Sequence, residues 1–314
     1  MRQGAAAFWR SPVTAFGFNF PTDVPSDAGL APRGQSGFGQ NIVKIIATFC
    51  LLLALLTHQA LAQSDPFELE VDPYPTIGRN AVELESLNSV IPNGHHVGGL
   101  GTSAGDLPSN LMYRTAFEFN YGLTDQIEAG AQLNLARANG GSLQYAGSDY
   151  RLRGSTFKPG ELPLDLGWRV ELEWRRKPEF DESQLDLELI PIIAKNIGRF
   201  EIDLNPVFEK AIFIGPNKNK GFSFLYAAGL YYHYEEWLSP GLEFYGAIGP
   251  LHSLDPLRAQ QHYIFPVVRG ELPGDIEYNL GPGIGLTRGS DRIITKVSIE
   301  LKGLVSELWQ AFQS

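Results

Sequence analysis

Alternation of apolar and polar residues over long segments is the feature that most constrains how this chain can fold. The clearest segment lies near the C-terminus, where one set of alternate residues is Ile293, Thr295, Val297, Ile299 and Leu301 and the other is Lys296, Ser298, Glu300 and Lys302. Side chains of a β-strand point to opposite faces with period two. The pattern therefore predicts a strand with one apolar and one polar face.

Similar segments recur along the chain and predict twelve strands. They lie near 79–91, 108–121, 125–137, 142–154, 162–175, 183–195, 198–213, 221–234, 240–249, 258–270, 274–286 and 291–303. Strands of soluble β-sandwiches are typically about 5 to 6 residues long, whereas a tilted transmembrane strand needs about 9 to 11. The lengths and the even count favour an all-β fold, a closed antiparallel transmembrane β-barrel of about 12 strands over residues 79–303.

Residues 43–62 have the three parts of a secretory signal. Lys44 supplies the positive charge, Ile45–Leu56 is an uncharged run, and Ala60-Leu61-Ala62 offers a site of small residues for cleavage after Ala62. The run is too short for a membrane-spanning helix, which needs about 20 apolar residues. We therefore expect export to the bacterial outer membrane.

The remaining terminal segments have weaker signatures. Residues 1–42 contain no sustained period and are interpreted as a non-native extension, with translation starting at Val43, or as a long n-region. Residues 63–78 are expected to form a periplasmic N-terminal segment that could touch or plug the barrel mouth. Residues 304–314 form a tail after the last strand.

A repeated element predicts a ring of carboxylates. At the start of alternate strands a tight turn is followed by an apolar residue and then an acid, which gives Glu83, Glu128, Asp165, Glu201, Glu243 and Glu277. If the apolar residue faces lipid, the acid faces the lumen near the periplasmic mouth, where acidic rings favour cations. The alternative is that these acids are solvated, or neutralised by a neighbour such as Arg169 or Arg199.

Few residues indicate catalytic or cofactor chemistry. The single cysteine, Cys50, lies in the signal, so no disulfide or thiolate metal site is expected. His233, His252 and Ser253 are the nearest candidates for a histidine base and a serine nucleophile, and their spacing does not bring them together. We expect no catalytic residues, no cofactor and no metal. The formal net charge of −10 argues against nucleic acid as a partner.

Three stretches resemble a family of uncharacterised bacterial outer-membrane proteins. They are "DPFELEVDPYPTIGRNAVELESLNSV" (Asp65 to Val90), "YGLTDQIEAGAQLNLAR" and "LEFYGAIGPL". Members of that family have a secretion signal, a "DPFE" opening and a porin-like antiparallel barrel. The resemblance implies a single-chain barrel similar to channels associated with uptake of aromatic compounds, without an assigned activity. The chain departs from outer-membrane barrels that end on an aromatic residue, because it continues past Phe312.

These observations lead to one main functional prediction and two alternatives. The main prediction is a passive pore or transport component for small solutes with a preference for cations. The first alternative is a structural or binding barrel whose lumen is closed by side chains, and the second is an enzyme such as a lipid hydrolase. Expected partners are outer-membrane lipid, the barrel-assembly machinery and small solutes, with the oligomeric state left open.

Overall fold

The computed structural model describes residues 67–97, 107–176, 185–213 and 221–302, and twelve strands among these residues form one closed barrel. Its strands are β1 (Val82–Asn93), β2 (Tyr113–Gly122), β3 (Ile127–Arg137), β4 (Gln144–Ser155), β5 (Asp165–Arg175), β6 (Leu185–Ile197), β7 (Phe200–Phe213), β8 (Ser223–Tyr232), β9 (Ser239–Pro250), β10 (Gln261–Leu272), β11 (Ile276–Gly285) and β12 (Ile293–Leu301). The predicted twelve-stranded fold is confirmed. The proposed extension, the signal and its cleavage site, residues 63–66 and the tail lie outside the described residues.

Each strand pairs with its neighbours in the chain, and the pairing of β1 with β12 closes the barrel. All pairings are antiparallel, with Asn88 opposite Val297 at the closure. Closure satisfies the backbone hydrogen-bonding groups of the strands without leaving a sheet edge, which is what a sheet in lipid requires. Among the described residues, none lies in a helix that is long and apolar enough to span a membrane.

The two faces of the strands differ as the alternation predicts. In β12, Val297 and Ile299 are exposed on the outside, whereas Ile294 and Lys296 are buried on the inside. The outer surface carries large apolar side chains on most strands, among them Phe117, Leu133, Leu152, Leu172, Ile202, Leu230, Leu242, Leu280 and Val297. A band of this kind stabilises a barrel in lipid but not in water.

The two ends of the barrel differ in the length of their connections. At one end, β6 and β7 are joined by Gly198 and Arg199 alone, and β10 and β11 by residues 273–275. At the other end, residues 94–112 join β1 to β2 and residues 251–260 join β9 to β10. Bacterial barrels place their short turns in the periplasm and their longer loops outside the cell. We call the two ends the short-turn end and the long-loop end.

A sharp turn precedes β1 at the short-turn end. Gly78 and Asn80 have positive φ angles of 83° and 62°, a conformation that glycine and asparagine adopt more readily than other residues. The Asn80 N–H donates to the carbonyl of Gly122 at 2.7 Å. A Cβ atom on Gly122 would lie 1.6 Å from the carbonyl oxygen of Gly78, so only glycine fits there. The turn redirects the chain from the lumen into the wall.

A charge on the outer face of β12 should destabilise the barrel. Val297 lies at the middle of this strand and is 42% exposed. We expect Val297→Arg to cost about 2–4 kcal/mol, because a guanidinium would face hydrocarbon. The measurement is the urea dependence of folding into lipid vesicles. The matched control is Leu257→Arg in the loop before β10, which should change stability little, and equal effects of the two substitutions would contradict the assigned lipid face.

Candidate functional site

Residues 67–77, which we call the lumen segment, lie inside the barrel along its length. The ring of Phe67 is 5.5 Å from the guanidinium carbon of Arg175, the residue that ends β5 at the long-loop end. The Ile77 N–H donates to Oε2 of Glu128 at 2.8 Å, close to the first residue of β3 at the short-turn end. The lumen segment therefore runs through the interior of the barrel from one end to the other.

The sequence predicted that residues 63–78 form a periplasmic segment that could touch or plug the barrel mouth, and the structure describes residues 67–77 inside the lumen. The described part of that segment alternates Phe67, Leu69 and Val71 with Glu68, Glu70 and Asp72. An extended chain with this alternation presents an apolar edge and an acidic edge. The lumen offers an apolar surface to one edge and cationic side chains to the other. This explains why the segment lies inside the barrel and not beside its mouth.

The apolar edge packs with a cluster of aromatic and aliphatic residues on β9 and β10. Leu69 and Val71 belong to the same buried cluster as Tyr245, Phe265 and Val267. The rings of Tyr245 and Phe265 meet edge to face, with centroids 5.2 Å apart and an interplanar angle of 83°. Burial of these side chains stabilises the segment by the hydrophobic effect.

The acidic edge faces arginines on β4 and β5. Arg151 donates to Glu68 at 3.0 Å and also pairs with Glu118 and with Glu171. Arg169 binds Asp72 at 3.0 Å and pairs with Glu68 as well. Buried carboxylates and guanidinium groups are stable only when paired and hydrogen-bonded. The two arginines therefore hold the lumen segment by charge.

Barrel side chains also bind the backbone of the lumen segment. The Lys296 ammonium donates to the Leu69 carbonyl at 2.9 Å, and the Asn205 amide donates to the Asp72 carbonyl at 3.2 Å. Backbone carbonyls away from water need such donors, because an unpaired buried group is costly. The segment is thus fixed by side chains, and none of its residues belongs to a described strand.

The structure places the six predicted carboxylates near the short-turn end, each in the first half of its strand. Four of them have a cationic partner, which is Arg153 for Glu128, Arg269 for Glu201, Lys296 for Glu243 and Lys302 for Glu277. Glu83 accepts from the Asn120 amide at 3.1 Å, and Asp165 accepts from the Gly160 N–H at 2.6 Å. Their role in ion selectivity stays a prediction.

The sequence suggested Arg169 and Arg199 as residues that neutralise the predicted acids, but in the structure they contact other groups. Arg169 binds Glu68 and Asp72 of the lumen segment, and Arg199 donates to the carbonyl of Tyr234 at 3.5 Å. Glu243 is the most enclosed of the predicted acids, with an exposure of 0%, and it also accepts from Tyr231 at 2.9 Å and from Tyr245. Its position resembles a packed ion pair more than a charge that lines a pathway.

The sequence indicated only Glu277 of a second set of lumenal acids. Glu118, Glu85, Glu300, Glu277 and Glu271 are directly opposite one another across β2, β1, β12, β11 and β10. Like charges opposite one another destabilise a sheet unless cations offset them. We call this set the acidic row. Only strand register relates these residues, and register cannot be read from local spacing.

The acidic row lines a cavity of about 610 Å³ at the short-turn end, which we call the vestibule. Its lining carries ten carboxylates, including Glu70 of the lumen segment, and four cationic side chains, which are Arg151, Arg153, Arg269 and Lys302. This excess of negative charge concentrates cations, because low-dielectric walls focus the field of the charges that line them.

The residues considered for catalysis do not form one site. His252 and Ser253 follow β9 at the long-loop end, whereas His233 precedes this strand at the short-turn end. His233 instead contacts Glu201 at 2.6 Å and Ser239 at 3.2 Å. This resembles a serine–histidine–carboxylate relay, but Ser239 is only 4% exposed and Glu201 already pairs with a cation, Arg269. The geometry does not present a nucleophile to a substrate.

Comparison with known proteins supports the fold class. No protein-family model and no curated protein sequence matches this chain. An outer-membrane channel from Pseudomonas putida F1 is similar in structure, with 13% sequence identity and a TM-score of 0.54 over 74% of this chain and 100% of that chain. At this identity the likeness shows a shared outer-membrane barrel fold.

Two other barrels show weaker similarity. CdiB from Acinetobacter baumannii has 8% identity and a TM-score of 0.37 over 71% of this chain and 60% of that chain. LpxR from Salmonella typhimurium has 11% identity and a TM-score of 0.35 over 70% of this chain and 99% of that chain. Scores at this level support no inference about function.

Breaking the enclosed ion pair of Glu243 should destabilise the barrel strongly. We expect Lys296→Met to cost about 3–5 kcal/mol, because it leaves a buried carboxylate without its cation. The double variant Lys296→Met/Glu243→Gln should recover most of the loss, since the amide is neutral. Its oxygen can still accept from Tyr231, and its NH2 group can donate to the Tyr245 hydroxyl. Denaturant unfolding measures both variants. A double variant no more stable than Lys296→Met would show that the two groups are not coupled.

Proposed function

We propose that this protein is an outer-membrane channel for small solutes, with a preference for cations, and that the lumen segment is its gate. The observation that carries the proposal is the position of residues 67–77, which fill the lumen without belonging to the barrel wall. A passive pore was the main prediction from the sequence. The proposal adds a closed state to that prediction.

The size of the barrel supports a channel. Eight-stranded barrels are filled by their own side chains, whereas barrels of 16 to 18 strands leave an aqueous channel. A barrel of twelve strands lies between these sizes, so the side chains of its wall can leave part of the lumen unfilled. Here a separate segment supplies the filling, and its displacement would join the vestibule to the long-loop end.

The contacts of the lumen segment suit a gate. Ion pairs with Arg151 and Arg169 and the hydrogen bond from Lys296 hold it in place. Water and dissolved ions can replace such partners, which is harder for the backbone ladder of a strand. A segment held in this way can leave the lumen while the wall remains closed.

The vestibule supports the cation preference. Among the described residues, the side chains of Glu85 and Glu271 have no hydrogen bond or ion pair, although both line the cavity. Four of the six members of the predicted ring have a cationic partner, so this proposal gives Glu85 and Glu271 the larger part in selectivity. Charged rings of one sign select ions of the opposite sign.

One observation favours the alternative of a closed binding or structural barrel. The lumen segment is fixed by ion pairs, by hydrogen bonds to its backbone and by apolar packing, all within the described residues. If these contacts are never broken, the barrel does not conduct. An enzymatic role has weaker support, since the histidine contacts do not present a nucleophile. Lipid of the outer membrane and the barrel-assembly machinery remain the expected partners, and export with cleavage after Ala62 remains part of the proposal.

Reversal of one charge on the lumen segment should open the channel. Glu68→Arg places a third cation beside Arg151 and Arg169, so repulsion should displace the segment. In planar bilayers we expect stable conductance steps more often than in the unmodified protein. The control Glu161→Arg makes the same change in charge on an exposed turn, outside the lumen, and should behave like the unmodified protein. A folded, heat-modifiable Glu68→Arg barrel without conductance would favour the closed-barrel alternative.

Ion selectivity should depend on the unpaired carboxylates more than on the paired ones. In the Glu68→Arg background, we expect Glu271→Gln to lower the permeability of K⁺ relative to Cl⁻, since it removes an unneutralised charge from the vestibule. The control Glu277→Gln removes a carboxylate of the same vestibule that is already paired with Lys302, which makes its effect smaller. Reversal potentials in a salt gradient measure both. Equal and negligible effects would remove the vestibule acids from the selectivity mechanism.

A further inference from the structure

We propose that Glu70 of the lumen segment forms a site for a divalent cation together with Glu85 and Glu118 of the barrel wall. The ligand would be Ca²⁺, bound by carboxylate oxygens and by water from the vestibule. Binding of the ion does not depend on conduction, but its effect on a gate rests on the proposed function. The sequence predicted no metal site.

The three carboxylates come from separate parts of the chain and converge on one point. One oxygen of each lies within 4.8 Å of an oxygen of the other two. Ca²⁺ binds oxygen at about 2.3–2.6 Å, so two ligands on opposite sides of one ion are separated by about 4.6–5.2 Å. Mg²⁺ requires about 2.0–2.1 Å and stricter octahedral geometry. Three oxygens within 4.8 Å of one another can bind one ion of either kind, and the flexible coordination of Ca²⁺ suits three carboxylates from separate segments better than the strict octahedron of Mg²⁺.

The cluster contains a buried carboxylate without a partner, aimed into a cavity. Glu85 is 7% exposed, lines the vestibule, and its side chain makes no hydrogen bond or ion pair with the described residues. An ionised carboxylate that is buried without a cation is strongly unfavourable. Glu85 is therefore stabilised by a proton or by a cation from outside the chain, and the vestibule is the path by which the cation would enter.

The neighbouring arginine cannot neutralise the whole cluster. Arg151 pairs with Glu118, but the same guanidinium also serves Glu68 and Glu171. Glu118 accepts in addition from the Asn120 amide at 2.7 Å, a bond that does not change its charge. Negative charge remains in excess at this point. A divalent cation that prefers oxygen ligands offsets this excess negative charge with fewer bound ions than a monovalent cation would need.

The origin of the three ligands gives the ion a mechanical role. Glu85 and Glu118 are directly opposite each other on β1 and β2, whereas Glu70 belongs to the lumen segment. An ion held by all three would connect the segment to the wall. Because a ligand stabilises the state that binds it, Ca²⁺ would favour the state with the segment in the lumen.

The test measures calcium binding by the purified, folded protein after removal of metal with a chelator. Isothermal titration with Ca²⁺ should show one saturable site per chain. Glu85→Gln should weaken the affinity at least about tenfold, since charge and ligand count set the affinity of calcium sites. The matched control is Glu271→Gln, which removes an acid of the same row outside the cluster and should leave the affinity unchanged. No saturable binding, or equal losses in both variants, would overturn the proposal.

Conductance then separates this inference from the proposed function. Addition of Ca²⁺ should reduce the open probability of the Glu68→Arg channel, and Glu85→Gln in that background should abolish the reduction. If Glu68→Arg conducts and no calcium site exists, the cation site is disproved and the channel stands. If the site binds Ca²⁺ with the expected dependence on Glu85 and neither protein conducts, the site is supported and the channel is disproved.

Discussion

The placement of the lumen segment inside the barrel depends on two buried guanidinium groups. Arg151 and Arg169 lie between the acidic edge of the lumen segment and the acids of the wall, and they share Glu68 and Glu171. Neither arginine has one exclusive partner. Loss of one would leave several buried carboxylates without sufficient positive charge, which is far more costly than loss of a surface ion pair. The charge balance of β4 and β5 therefore contributes to the position of the segment, together with its apolar packing.

Apolar burial and charge act on opposite edges of the same extended chain. Leu69 and Val71 face the cluster that contains Phe265, and these contacts would stabilise a filled lumen in any ionic condition. The contacts of Glu68 and Asp72 depend on the ionic environment, although burial reduces the screening by salt. The apolar edge gives the segment its affinity for the lumen, and the acidic edge gives it sensitivity to ions. A gate requires both properties.

The strands could be predicted from the sequence because alternation is local, as the outer face of β12 with Val297 shows. The partners of lumenal side chains could not be predicted, because closure of a barrel brings together residues that are remote in sequence. Glu243 was found from its position after a turn, but its partner Lys296 lies on β12, which is not adjacent to β9 in the sheet. The alternation of residues 67–72 was visible too, yet nothing local indicated that its two edges face the inside of a barrel.

The two sides of the lumen neutralise their acids in different ways. On the β9 side, Lys296 is an ammonium built into the wall, and it binds both Glu243 and the carbonyl of Leu69. On the β1 side, Glu85 faces Glu70 and has no lysine or arginine of its own among the residues that the structure describes. A cationic side chain cannot leave the protein, whereas the occupancy of a site by an ion from solution depends on the concentration of that ion. In the proposed gate, the lumen segment is thus anchored permanently along one edge and by an exchangeable ion along the other, so displacement should begin where Glu70 meets β1 and β2.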